Sequence, residues 1–466
     1  MLDRLVTFDA RTAVLVVGIG KSGFASAAVL RRHDVSVFVT DEKPREAVRE
    51  RVSEVESLGA RFVVPSELGA LLARLSFAVV SPGVPPSAAV VRQLTEANVP
   101  IVGEIELAYC LCAVPIIAVT GTKGKSTTTA LIGELLRACG RSVRVGGNIG
   151  NPLVAEVVAA EPSDWVVAEV SSFQLETIET FAPHISVFLN LSPDHLDRYH
   201  SMREYETAKR RIFSNQSAGD SMILNLDDPR LAAFEHEFVA AGHPARRLWF
   251  TLGDRKAGAA MYMRGSQVVY EAPDGKPQPV LERSDIMLPG EHNLHNVMAA
   301  LLAAIAAGCP LEPLRAAIRR FHAMPHRLEP VGEIDGVLFV DDSKATTPAA
   351  TSAALSSYTR PVVLIAGGRP KGADFSELGA AIRSHAKALV AIGEAAEVLV
   401  RAAGSTPSEI AGSLDDAVER ARRRAQAGDI VLLSPACASF DMFSSAEERG
   451  ECFIRAIETL RETAGA

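Results

Sequence analysis

Lysine, serine and threonine at the end of a glycine turn are what a protein needs to hold a triphosphate. Residues 120–129, Thr-Gly-Thr-Lys-Gly-Lys-Ser-Thr-Thr-Thr, supply them in that order. The apolar run Ile116–Val119 before them predicts a buried strand, and Ala130–Arg137 after them places apolar residues at helical spacing. A strand, a tight turn and a helix start make a phosphate cradle, because backbone N–H groups converge there and the helix dipole favours negative charge. Gly121, Thr122, Lys123, Gly124, Lys125, Ser126 and Thr127 are therefore candidate ATP-binding residues, with Lys125 reaching the terminal phosphates and the Ser126 hydroxyl on Mg²⁺. The general P-loop carries a further glycine five positions before the Gly-Lys pair. Here that position is Val119, so the turn is the shorter Gly121-x-x-Gly124-Lys125-Ser126.

Other reactive side chains collect where apolar runs end. Trp165–Ala168 leads to Glu169, and Ile185–Leu189 leads through Asn190 to Asp194-His195. If both runs are strands parallel to the P-loop strand, Glu169 and His195 emerge on the same edge as Gly121. Glu169 could then supply the carboxylate that Mg²⁺ needs beside Ser126, or be a solvated strand-end acid. His195 reads equally as a turn histidine bonding Asp194 or Asp197. Tyr205–Phe213 predicts a helix, and spacing alone puts its Lys209 on the surface. Asn148 lies in the glycine loop 146–150, a close-approach site or a plain turn. Asn293 and Asn296 precede an Ala/Leu-rich helix and could read a base edge or cap that helix.

These residues need sheets to carry them. Ala13–Val17, then Gly18-Ile19-Gly20-Lys21-Ser22-Gly23, the helical run Ala25–Arg32, and Val35–Val39 ending at Thr40-Asp41 form a dinucleotide-type fingerprint. Such a turn takes a nucleotide diphosphate with Asp41 near ribose or base, or its glycines serve packing only. Phe77–Val80 runs into Ser81-Pro82-Gly83, a rigid turn at a strand's carboxyl end, and this first unit ends near Gly103-Glu104. Residues 261–288 alternate like strands, with Asp274-Gly275 as a hairpin turn, and predict a small β insertion in the second domain. After Pro310, the apolar runs Val337–Val340, Val362–Ala366, Ala388–Ile392 and Ile430–Leu433 alternate with helices and end in polar loops. That is a further parallel sheet, and the fold class is α/β throughout.

Composition narrows the partners. At 466 residues the chain suggests two to four domains. Its 48 basic and 56 acidic side chains leave a charge of −8, which argues against a nucleic-acid surface. The six cysteines form no C-x-x-C pair and read as reduced thiols. Met1–Leu5 shows no signal pattern and no apolar run is long enough to span a bilayer, so a cytoplasmic protein without membrane insertion is expected.

Taken together, these stretches resemble the Mur ligase family over essentially the whole chain. The resemblance rests on Gly121–Thr127, whose short turn is that family's own, on Gly146–Gly150, Ser171–Glu176 and Asp194–Tyr199, and on Gly290–Asn296, Pro325-His326-Arg327, Asp342–Thr346 and Ser434–Ser439. It implies three domains: a Rossmann-like UDP-sugar domain at 1–104, a central ATP-binding domain at 105–311, and a Rossmann-like domain at 312–466 that contacts ATP and the incoming amino acid. The implied activity is ATP-dependent amide ligation through an acyl phosphate, adding D-glutamate to UDP-N-acetylmuramoyl-L-alanine, by a monomer acting on small molecules. By the same resemblance, Lys125, Glu169, His195 and Lys209 are catalytic. Ser126, Glu169, His195 and a carbamylated Lys209 hold two Mg²⁺ ions. Asn293, Asn296, Arg327 and Asp342 contact ATP. Ser22, Asp41, Ser81 and Asn148 fall to the UDP-sugar, and Lys344, Thr346, Lys371 and Ser439 to the amino acid. Two positions depart from the glutamate-adding pattern: Ala446 where an aromatic residue is expected, and Thr347 in place of asparagine. They leave an L-glutamate-adding relative open. A sibling ligase, an NAD(P)-dependent oxidoreductase read from Gly18-x-Gly20-x-x-Gly23 alone, and a nucleotide-binding regulator are the other readings.

Overall fold

Apolar runs too short for helices and flanked by glycine turns become strands, and in this chain they gather into three sheets. The computed structural model describes residues 8, 11–33, 35–195, 198–254, 259–272, 275–321, 325–370 and 373–464. These form two compact units, 1–286 with 294–320, and 287–293 with 321–466.

The first unit holds two sheets. In one, β1 (Ala13–Val17), β2 (Ser36–Thr40), β3 (Arg61–Phe62), β4 (Phe77–Val80) and β5 (Ile101–Gly103) run parallel in the order β3-β2-β1-β4-β5. Strand order reverses between β1 and β4, so a crevice opens at their carboxyl ends, where Gly18 and Ser81 lie. Both faces are buried: Val14 and Val16 point into one cluster, Leu15 and Val17 into another. That is why these strands read as unbroken apolar runs.

The second sheet comprises β6 (Ile116–Thr120), β7 (Ser142–Gly147), β8 (Asp164–Glu169), β9 (Ile185–Phe188), β10 (Ser221–Asn225), β11 (Arg246–Thr251), β12 (Ala259–Arg264), β13 (Gln267–Tyr270) and β14 (Gln278–Glu282). Its order is β14-β13-β12-β11-β10-β9-β6-β8-β7. Parallel pairing of β6 with β8 and β9 sends Gly121, Glu169 and Asn190 out at one edge. The expected β insertion is β12–β14, antiparallel strands continuing this sheet. The chain reverses between β12 and β13 at Gly265, whose φ is +59°; the expected turn residue Asp274 lies outside the described residues.

The second unit is a six-stranded sheet ordered β15-β16-β20-β17-β18-β19. Its strands are β15 (Glu329–Ile334), β16 (Val337–Asp341), β17 (Val362–Gly367), β18 (Ala386–Ile392), β19 (Ser408–Ile410) and β20 (Ile430–Leu433). All pairs are parallel except β15 with β16. The neighbours β16, β20 and β17 end in the loops carrying Asp342–Thr346, Ser434–Ser439 and Gly367–Arg369. Among the described residues no helix is long and apolar enough to cross a membrane.

Candidate functional site

The turn after β6 needs its glycines. Gly121 has φ +148° and Gly124 +83°, and a Cβ on Gly124 would lie 2.2 Å from Asn296 Oδ1. Gly124 occupies the N-cap of the helix Lys125–Ala138 without offering a side-chain acceptor, so the amides of the first turn converge on the loop. A residue given no role from the sequence clamps the turn. Asn190 Oδ1 accepts from Thr122 N (3.1 Å) and Lys123 N (2.9 Å), while its Nδ2 donates to Lys123 O (3.0 Å). Ser192 N donates to Thr122 Oγ1 at 3.1 Å. Ser126 and Thr127 are half-buried on the helix's first turn, and Lys123 is exposed.

Two lysines meet on this loop. Lys125 Nζ arches back to Gly121 O (3.1 Å) and Thr122 O (3.0 Å). Lys209 Nζ donates to the same Gly121 O at 2.8 Å. The surface position that spacing suggests for Lys209 is wrong: it is 1% exposed. The helix Met202–Arg210, which starts earlier than expected, turns this side chain into the sheet edge beside Tyr205. Burial first, and the neighbouring Lys125 charge second, hold the Lys209 amine well below the ordinary lysine pKa. Asp194 and Glu169 pull the other way.

Glu169 stands at the end of β8, 2% exposed. Its Oε1 accepts from Asn148 Nδ2 at 2.8 Å, and Asn148 N donates to Glu169 O at 2.8 Å. Its Oε2 is buried with no hydrogen-bond partner. An ionisable oxygen left so is costly unless a cation or donor completes it. Glu169 is thus no solvated strand-end acid, and Asn148, expected at the UDP-sugar, orients it. His195 has φ +55° and an exposed ring packed 4.8 Å from the Phe173 ring. Its Nε2 is 3.7 Å from Asp194 Oδ2, too long for a hydrogen bond; Asp197 lies outside the described residues. An open carboxylate oxygen and a hydroxyl on the helix turn fit a hard divalent cation.

In the crevice of the first sheet, Ser81 Oγ donates to Gly18 O at 3.0 Å, and Asp41 Oδ2 accepts from Ile19 N at 3.0 Å. Ser22 is the second residue of the helix Lys21–Arg31 and accepts from Ser26 Oγ through its carbonyl. Asn296 lies against the P-loop turn. The helix it belongs to starts at Glu291, so Asn293 and Asn296 sit within its first turns and do not precede it. Asn293 Nδ2 donates to Pro289 O at 2.7 Å.

In the second unit, half-buried Arg327 stands between two left-handed residues, His326 (φ +62°) and Leu328 (φ +46°). His326 Nδ1 lies 2.7 Å from Asp341 Oδ2, and its N–H donates to Glu329 Oε2 at 2.7 Å. Asp342 is buried, accepts from Ser434 Oγ at 2.8 Å, and is pushed up to about 7 by that burial. Lys344 Nζ pairs with Glu447 at 2.5 Å, Thr346 is exposed, and Ser439 is buried with its carbonyl accepting from Phe443 N at 2.8 Å. Thr347 caps the helix Pro348–Ser356 through Ala350 N, work an asparagine would also do. Lys371 lies outside the described residues.

Three family models match the chain. They are described as the Mur ligase MurD-like N-terminal domain, over residues 12–103, the Mur ligase middle domain, over 119–304, and the Mur ligase glutamate ligase domain, over 326–437. A UDP-N-acetylmuramoylalanine–D-glutamate ligase of Pelotomaculum thermopropionicum is 42% identical across 97% of this chain and 98% of its own length. One of Desulfosudis oleivorans is 41% identical across 96% of both. In fold, the chain is similar to a MurF ligase from Thermotoga maritima in complex with ADP, with TM-score 0.61, 17% identity, and coverage of 98% and 99%.

Proposed function

This chain belongs to the Mur ligase family, and we propose that it joins D-glutamate to UDP-N-acetylmuramoyl-L-alanine at the expense of ATP, a step in peptidoglycan precursor synthesis. The observation that carries this reading is the edge after β6, β8 and β9. There the buried amine of Lys209 meets the P-loop turn at Gly121 O, and the open oxygen of Glu169 stands at the end of the strand paired with β6.

The γ-phosphoryl group passes from ATP to the substrate carboxylate, giving an acyl phosphate and ADP. The glutamate amine then attacks the acyl carbon, loses a proton, and expels inorganic phosphate. Both reactants of the first step are anions, so positive charge must be in place before they meet. Lys125 supplies it from the loop, and Asn190 holds the loop's amides in register. Ser126, Glu169, His195 and Lys209 form the proposed Mg²⁺-binding set, with two ions expected, and Mg²⁺ when bound neutralises charge between phosphate and carboxylate. Lys209 joins the set as a carbamate: burial lowers the pKa of its amine, which favours the neutral form that adds to CO₂ and releases a proton. Asn293, Asn296, Arg327 and Asp342 are proposed for ATP. Ser22, Asp41, Ser81 and Asn148 are proposed for the UDP-sugar, and Lys344, Thr346, Lys371 and Ser439 for glutamate. A monomer in the cytoplasm is the matching setting.

The test is peptide-bond formation from UDP-N-acetylmuramoyl-L-alanine and ATP, with D- and L-glutamate in parallel. Product with the D enantiomer supports the reading. Product with L-glutamate alone would assign the departure at Ala446 to a changed handedness, and none with either would refute ligation.

A further inference from the structure

Arg449 lies on the helix Ala446–Ala464 and is 1% exposed, the largest fully buried side chain among the described residues. Its Nε donates to Ser343 Oγ (2.9 Å), and Nη2 to Ser343 O (2.9 Å) and Cys437 O (3.2 Å). Nη1 donates to Cys437 O (3.2 Å) and Gly367 O (3.5 Å). Every acceptor is a carbonyl or a hydroxyl, and no carboxylate among the described residues pairs with the guanidinium. Asp341 is bonded to His326 and Ser343 N, and Asp441 accepts from Glu394 N through Oδ2 while its buried Oδ1 has no hydrogen-bond partner. Burial lowers the Arg449 pKa to about 10, with Cys437, Asp441 and Asp341 opposing.

A buried cation without a counter-ion is a poor way to fill space, since an apolar side chain of like volume does so without desolvating a charge. The geometry shows what the fork does. Ser343, Gly367 and Cys437 belong to the three loops that end the neighbouring strands β16, β17 and β20, and the loops are cross-tied around it. Gly367 N donates to Pro435 O (2.8 Å), Ala436 N to Ala345 O (2.9 Å), and Arg369 N to Ala438 O (2.8 Å). A Cβ on Gly368, where φ is +129°, would lie 2.3 Å from Ala438 O and 3.2 Å from Arg449 Nη1, so only glycine allows the loops this close. Ser343 Oγ passes the link on to Ala446 O at 2.7 Å. Ser343 precedes Lys344, and Cys437 lies two residues before Ser439.

We infer that Arg449 is a specificity-determining positioning residue: its fork fixes Lys344 and Ser439 relative to one another, and its buried charge favours an acidic amino acid at these loops. The inference rests on the reading that these loops receive the incoming glutamate. It is tested with R449M, R449K and S343A in the full chain, using glutamate and glutamine as amine donors, with thermal unfolding as the control for folding. R449M is expected to lower kcat/KM for glutamate at least about tenfold, chiefly through KM, with the KM for ATP held within about twofold. It should also shrink the preference for glutamate over glutamine about fivefold. R449K should restore the preference but not the full KM, and S343A should raise the glutamate KM while leaving the preference intact. Parallel losses with glutamate and glutamine in R449M, or an unchanged glutamate KM in both R449M and S343A, would overturn it. If R449M does not fold, S343A decides by its glutamate KM: a raised KM supports the inference and an unchanged KM overturns it. An unaltered chain that joins no glutamate would instead remove the ligase reading, and this inference with it.

Discussion

Two strand–glycine–helix turns of the first unit, after β1 and after β6, use glycine for different ends. After β1, a Cβ on Gly23 would sit 1.8 Å from Gly18 O, while one on Gly20 would meet nothing within 4 Å. Gly23 exists so that helix and strand can touch, and both Asp41 oxygens are taken by the backbone at Ile19 and Lys43. After β6, the glycines create the turn and the polar groups around it are only partly satisfied by their neighbours. One Glu169 oxygen lacks a partner, and two lysines crowd a single carbonyl. The same local pattern therefore closes on its own backbone contacts after β1 and leaves an unmet valence beside it after β6.

The contrast breaks most sharply at Lys125. Lys125→Ala should cost at least 10²-fold in kcat, because charge is lost where phosphoryl transfer needs it, with little change in Tm; an active variant would put the chemistry elsewhere. Glycine to alanine then sharpens the comparison between the turns. Gly124→Ala should cripple ATP use, since the methyl strikes Asn296 and φ is +83°. Gly20→Ala should leave turnover within about twofold, and Gly23→Ala should lower Tm by several degrees through the clash with Gly18.

Smaller effects follow from the buried titratable groups. Lys209 binds its proton less well folded than unfolded, so the unfolded chain holds the extra proton and stability rises with pH until the unfolded lysine also titrates, near about pH 10. Lys209→Met should abolish ligation yet unfold at higher temperature than the unaltered chain at pH 7, with the gap closing as pH approaches 10. Glu104, where the helix Glu104–Leu111 leaves the first sheet, has the opposite sign. Its Oε1 accepts from Val154 N at 2.7 Å, but burial raises its pKa from 4.5 to about 7. The folded chain holds the extra proton between those values, so stability falls as pH rises through that window. Glu104→Gln should therefore be stabilising above pH 7 and neutral below about pH 4.5 in thermal unfolding.

Much of this was legible in the residues. Apolar runs gave strands in all three sheets, though not β3, β5, β7, β10, β11, β15 or β19, and parallel pairing brought Glu169 to the P-loop edge as expected. What escaped was set by tertiary contact. Lys209 reads as a surface residue because helical spacing carries no record of which face meets Gly121. Asn190 gave no signal beyond its place at a strand end, since its clamp on residues 122 and 123 joins segments far apart in sequence. Arg449 sits in a charged helical stretch, Glu447-Glu448-Arg449, that looks solvated until the three loops close over it. The asparagines before the Ala/Leu-rich run were placed outside a helix that begins at Glu291, because helix ends are the least certain part of such a reading.

The most direct test of the central claim follows an oxygen atom. UDP-N-acetylmuramoyl-L-alanine labelled with ¹⁸O in its terminal carboxylate is turned over with ATP and D-glutamate, and the released phosphate is weighed by mass spectrometry. One labelled oxygen in that phosphate is the expected result, because the carboxylate must attack the γ-phosphorus and surrender that atom when the amide forms. Phosphate released without label would mean that ATP and the carboxylic acid never meet at the turn holding Lys125.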